Sequence, residues 1–207
     1  MEYSLPIIIS TLALTISILA LVLNRLVPFK AKVFSTTPTF SLYKIPPSIS
    51  GSEKNQTWWI PSFNIGLSMY NLGKLSGEII DVRILGELES VRSNQKFEFY
   101  PKWTVNYSEF QKNNIERFVW LNEAVLSNWS PILLFGGKET SKHIILEGPR
   151  WDNKMEGVLK FRVEYIASNS NKWKEINNYE LPIVKEMFEG KSTHTPYDEK
   201  IEKHRKI

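Results

Sequence analysis

Two hydrophobic periodicities divide the chain. From Leu5 to Leu23, nineteen consecutive residues carry no charge and are mostly Leu, Ile, Ala and Val. At about 1.5 Å per residue a helix of that length spans roughly 28 Å, close to the roughly 30 Å of a bilayer's hydrocarbon layer. A core helix would show a polar face. Here the polar residues are only Ser10, Thr11, Thr15 and Ser17, whose hydroxyls can bond back to the helix backbone, and Pro6 falls in the first turn, where it is tolerated. A cleavable signal sequence is the main rival. The leading "MEYS" lacks Lys and Arg, the apolar run exceeds a signal's usual core, and no small-x-small cleavage site follows, so an uncleaved span is favoured.

Beyond "PFKAK" the pattern changes to alternation. "FNIGLSMYNLG" sets Phe63, Ile65, Leu67 and Met69 on one side of a strand and ends in the turn-prone Asn71-Leu72-Gly73. "GEIIDVRIL" continues with Ile80, Val82 and Ile84 inward and Asp81 and Arg83 outward. "KFEFY" pairs Phe97 with Phe99, "SKHIILE" reads as a short strand, and "VLKFRVEYI" alternates Leu159, Phe161, Val163 and Tyr165 with charged residues. "ASNSNKW" suits a hairpin loop before "NNYELPIV", whose Pro182 predicts a sheet edge. Only the stretch around 107–127 departs: Phe118, Leu121 and Val125 have helical spacing, which predicts one short helix near 115–127 or an irregular crossover.

These elements predict a mainly β protein: an N-terminal transmembrane helix, then seven to nine short antiparallel strands forming a β-sandwich. The expected boundaries are a flank at 1–4, the transmembrane helix at 5–27, a juxtamembrane linker at 28–34, the sandwich at 35–188 and a polar, charged, frayed tail at 189–207. The strand ending in Asn71-Leu72-Gly73, the next one opening with Gly77, Ile80, Asp81 and Val82, and Trp173 in the last hairpin together resemble Ig-like sandwich domains over residues 35 to 185. The Cys–Trp–Cys core of antibody domains is missing. The chain also resembles uncharacterised single-pass prokaryotic membrane proteins that pair one N-terminal span with such a sandwich. The resemblance implies a fold and no activity.

Charge changes the picture little. The net +4 resides at the ends, in Arg25, Lys30 and Lys32 after the apolar run and in the last eighteen residues, while residues 33–189 hold 18 basic and 18 acidic side chains. No concentrated basic field exists to grip phosphates, so nucleic acid is not an expected partner. The three cations after the span place the C-terminal domain in the cytoplasm by the positive-inside rule. The Asn-x-Ser/Thr triplets at Asn55, Asn106 and Asn128 are about as many as chance supplies and decide nothing about the opposite orientation. The absence of cysteine removes disulfides, thiolate nucleophiles and Cys-ligated metals.

Catalytic, metal and cofactor signatures are not found. Of three histidines, His194 and His204 fall in the polar tail and His143 occupies a strand position with an ordinary structural role expected. Gly136-Gly137-Lys138 lacks the spacing of a phosphate loop and precedes strand-like sequence, so a tight turn is expected. Two features carry binding hypotheses. Ser10, Ala13, Ser17 and Ala20 recur on one helix face, where small side chains let a second helix approach and would support a homo-oligomer or another membrane protein partner. Trp58 and Trp59, beside Pro61, offer aromatic surface to a protein or a sugar if partly exposed. The functional expectation is a membrane-anchored, non-catalytic interaction or assembly module in contact with the lipid bilayer and a protein partner. The alternative is a carbohydrate-binding sandwich displayed on an exposed cell face.

Overall fold

The computed structural model describes residues 4–46, 57–90, 94–112, 124–189 and 193–196. Helix α1 (Ser4–Arg25) comes first. Its Leu5–Leu23 stretch has a mean hydropathy of 2.5, is long and apolar enough to cross a bilayer, and is nowhere covered by the rest of the protein. The hydroxyls of Thr11, Thr15 and Ser17 each donate to the carbonyl four residues back at 2.8 Å, so the polar residues are satisfied within the helix itself.

Strands follow in the order β1 (Ala31–Ser35), β2 (Thr39–Ile45), β3 (Trp58–Asn71), β4 (Gly77–Glu89), β5 (Asn94–Val105), β6 (Val125–Asn128), β7 (Ile132–Leu134), β8 (Glu139–Glu147), β9 (Gly157–Ala167), β10 (Lys174–Ile183) and β11 (Thr193–His194). All pairings are antiparallel, and the path through the sheet is β10-β9-β4-β5-β8-β3-β2-β11. Strand β5 makes the path continuous. Its first half lies on β4, with Ile84 opposite Phe99, and its second half lies on β8, with Thr104 opposite Ile144. The change falls at Pro101, where a register shift bends the strand, as bulges and prolines do at sheet corners.

The sheet therefore folds back on itself, nearly closed and barrel-like. Its core lies between the β2-β3-β8 half and the β9-β4-β5 half. Phe63 stands at the centre, its ring 4.6 Å from Phe161, 4.9 Å from Phe99 and 5.0 Å from Phe40. Trp151, almost wholly buried, fills one end against Phe97 and Phe188. Side chains reaching main chain also link the two halves: the Trp59 indole on β3 donates to the Phe188 carbonyl after β10 at 3.3 Å, and Asn169, between β9 and β10, donates to the Phe29 carbonyl ahead of β1 at 2.8 Å.

The alternating strands anticipated from Phe63, Phe97, Leu159 and their neighbours are in place, and β10, with Pro182, is an edge. Four expectations change. Ile80 is 41% exposed while Ile79 is wholly buried, because a bulge between Ile79 and Asp81 shifts the alternation by one residue before Val82. A short helix lies at Tyr107–Lys112; of the expected helical stretch 115–127, residues 115–123, with Phe118 and Leu121, lie outside the described residues, Ala124 is helical, and Val125 opens strand β6 instead. The linker at 28–34 contains most of β1, which pairs with β3, so the head begins at Ala31. In the tail, Thr193 and His194 pair with Ser41 and Phe40 of β2. The architecture is mainly antiparallel β behind an apolar helix and is not plainly an Ig sandwich, since one continuous sheet replaces two separate ones.

Candidate functional site

The outer face of β10-β9-β4-β5 carries a dense arrangement of charge. Because strand side chains alternate, the residues opposite the core stand in rows across the four strands. One row runs Glu180, Lys160, Glu87, Lys96, and the next runs Asn178, Arg162, Leu85, Glu98. Together they line a shallow trough of about 730 Å³. Signs alternate along the first row, as cross-strand neighbours of opposite charge stabilise the pairing.

Several carboxylates of this face are engaged. Glu164, almost buried, accepts from Arg83 at 2.9 Å and from Arg162 at 2.6 Å. The Arg83 guanidinium lies 4.0 Å from the centre of the Trp173 ring, which covers it. Lys160 meets Glu89 at 2.7 Å, and the hydrogen bond to that carboxylate raises the lysine's pKa. The Tyr100 hydroxyl donates to Glu98, and this bond, followed by burial, pushes its pKa above the usual phenol value. Asp81, in the β4 bulge, is raised by burial, although it accepts from the Val82 amide at 2.8 Å. Among the described residues no group of three or more His, Asp or Glu is placed to hold a metal ion.

The residues singled out from the sequence fall in three places. Ser10, Ala13, Ser17 and Ala20 lie in α1, away from the trough, and the Ser10 and Ser17 hydroxyls bond to Ile7 and Ala13 carbonyls, so this face offers small size with no polar group seeking a partner. Trp58 and Trp59 part company. Trp59 is only 7% exposed and packs edge-on against Phe188, whereas Trp58 is half-buried with Arg150 4.2 Å from its ring centre. His143 is half-buried, stacked on the Tyr107 ring at 4.3 Å and packed over Gly66, and burial lowers its pKa. Gly136 and Gly137 form the expected turn between β7 and β8: Gly137 has a φ of +65°, and a Cβ on Gly136 would lie 2.1 Å from the Lys74 carbonyl oxygen.

Sequence reasoning passed over Glu164 and its two arginines. The alternation of β9 puts Glu164 on the outer face, and only the register with β4, which sets it opposite Arg83, reveals the buried cluster. A single strand's pattern contains no sign of that neighbour.

Neither a family model nor a curated protein matches the chain. Among solved structures, a Bordetella pertussis structural-genomics protein solved under the name ApaA aligns with 76% of this chain and 97% of its own, at 12% identity and a TM-score of 0.32. The structural-genomics target SoR45 aligns with 74% of this chain and 84% of its own, at 8% identity and a TM-score of 0.28. Scores this low carry no argument about fold or function.

Proposed function

We propose that this protein is a membrane-anchored, non-catalytic interaction or assembly module. In this reading α1 stays in the bilayer and the β head, a relative of the Ig-like sandwich with its layers joined through β5, presents the charged β10-β9-β4-β5 face to a protein partner. The observation that carries the proposal is the nineteen-residue apolar run of α1, none of it packed on the head. A core helix would be covered, and an uncovered apolar surface of this size in water would drive aggregation. Tethering confines the head to a plane and raises its effective concentration toward other membrane components without any new contact.

Arg25, Lys30 and Lys32 favour a cytoplasmic head in this reading. The tryptophans favour a protein partner over a sugar. No described tryptophan is fully exposed, and Trp58, Trp103 and Trp173 each have a cation over one ring face, from Arg150, Lys102 and Arg83. A sugar-binding platform needs those faces open.

The test is fractionation of native membranes. The full chain is expected in the pellet after carbonate washing, with an intact N-terminus by sequencing, and protease added to sealed vesicles reports which side carries the head. A chain beginning beyond Asn24, or one released by carbonate, overturns the proposal.

A further inference from the structure

Where α1 meets the head, three segments are locked into one shelf. The Lys74 and Leu75 amides donate to the Val27 carbonyl at 2.9 and 3.1 Å, Leu72 donates to the Lys30 carbonyl at 2.9 Å, and Gly137 donates to the Asn71 and Gly73 carbonyls at 3.0 Å. Two glycines let the backbones touch. A Cβ on Gly73 would lie 1.9 Å from the Pro28 carbonyl oxygen, as one on Gly136 would collide with Lys74. The β3–β4 turn, the β7–β8 turn and the segment leaving α1 therefore move as a unit.

The shelf displays large apolar side chains to the outside: Leu26 at 58% exposure, Leu72 at 54%, Leu75 at 45% and Phe135 at 59%. Arg25, Lys30, Lys74 and Lys138, all exposed, lie among them in the same segments. Its height along α1 is also defined. Lys74 and Arg25 line one hollow together with Ala20 and Leu21, which belong to the apolar run ending at Leu23. Leu21 is two residues from that end, about 3 Å along the axis. The shelf is thus level with the end of the apolar run, the depth of the headgroup layer.

Apolar side chains interleaved with Lys and Arg at that depth are the composition of an interfacial binding surface, in which the rings and aliphatic chains enter the acyl boundary and the cations meet anionic headgroups. We infer that the head is seated on the bilayer through this shelf, with Leu26, Leu72, Leu75 and Phe135 in the headgroup–acyl boundary and the four cations on lipid phosphates. The inference rests on α1 being a span, and it deepens that reading: the head has a fixed stance on the membrane, which sets the direction its charged trough faces.

Because the chain has no cysteine, single-cysteine variants of the full chain can each carry one environment-sensitive fluorophore. Leu75→Cys and Phe135→Cys probe the shelf, and Leu14→Cys probes the middle of α1. Gln95→Cys, opposite Leu88 at the far end of β4, is the remote control. Each is reconstituted in vesicles of phosphatidylcholine with phosphatidylglycerol, with and without brominated acyl chains. Loss of emission with brominated lipid is expected at positions 14, 75 and 135 and not at 95. Adding Lys74→Glu and Lys138→Glu is expected to weaken the loss at 75 and 135 while leaving it at 14. Quenching at 14 without quenching at 75 and 135 overturns the seated head and leaves the anchor standing. No quenching at 14 overturns the anchor and the seat together.

Discussion

Asn71 is the residue on which the shelf depends. Its side-chain amide donates to the Leu75 carbonyl at 2.8 Å and to the Leu134 carbonyl at 3.2 Å, while its oxygen accepts from the Gly73 amide at 2.9 Å and the Lys30 amide at 3.3 Å. The residue is 2% exposed, so nothing replaces those partners when the side chain is removed. Asn71→Ala is expected to lower the unfolding free energy by about 2–3 kcal/mol, since several buried main-chain groups lose their partners at once. Denaturant titration followed by tryptophan emission measures it, and a loss below about 1 kcal/mol would contradict the role of a hub. The sequence marks Asn71-Leu72-Gly73 as a turn, which it is. It cannot show that the same side chain ties together backbone 41 residues before it and 63 after it, because those partners are brought near only by the pairing of β1 with β3 and of β7 with β4.

Among the elements, β4 is where alternation misleads and where its failure can be checked. From Val82 to Leu88 every second residue is buried, as the pattern requires, but the bulge after Ile79 inserts one extra residue and turns Ile80 outward. A run of two isoleucines contains no information about which one faces the core. Ile79→Ala is therefore expected to cost about 3 kcal/mol and Ile80→Ala less than about 1 kcal/mol. The reverse order in denaturant midpoints would place the bulge elsewhere. Strand β5 poses the same difficulty on a larger scale. Its Phe97 and Phe99 read correctly as inward-facing, yet nothing in the alternation announces that Pro101 carries the strand from β4 to β8 and so joins two expected sheets into one. Helix α1 raises a different question, because its own hydroxyls satisfy its polar residues. If Ser10, Ala13, Ser17 and Ala20 pack against a second copy, close approach of the backbones is the cause, and bulk must abolish it. Ala13→Leu combined with Ser17→Leu is expected to eliminate self-association in a membrane two-hybrid assay, and an unchanged signal would remove the helix from the list of oligomer contacts.

On the scale of the whole molecule, the sheet stops short of closing, with β10 and β11 at the ends of its path, and two half-buried histidines sit where strands are tied to peripheral chain. His143, on β8, stacks on Tyr107 in the helix that follows β5, and His194 belongs to β11, which holds the tail on β2. Burial lowers both pKa values. The charged imidazole is disfavoured in the folded state, so between the folded and the unfolded pKa the unfolded chain binds more protons. Stability is then complete above the unfolded value of about 6.5 and declines as pH falls toward the folded value. Asp81 has the opposite sign: burial raises its pKa, so its protonation favours the folded state as pH falls from that raised value toward the ordinary carboxylate value. The two histidines begin to act at about 6.5, and the unfolding free energy of the full chain in detergent is expected to fall between pH 7 and pH 5. His143→Gln is expected to flatten the slope, because glutamine keeps a polar side chain there without a titrating ring. An unchanged slope in that variant and in His194→Gln would show that neither imidazole is kept neutral by the fold, and that the ties they make survive protonation.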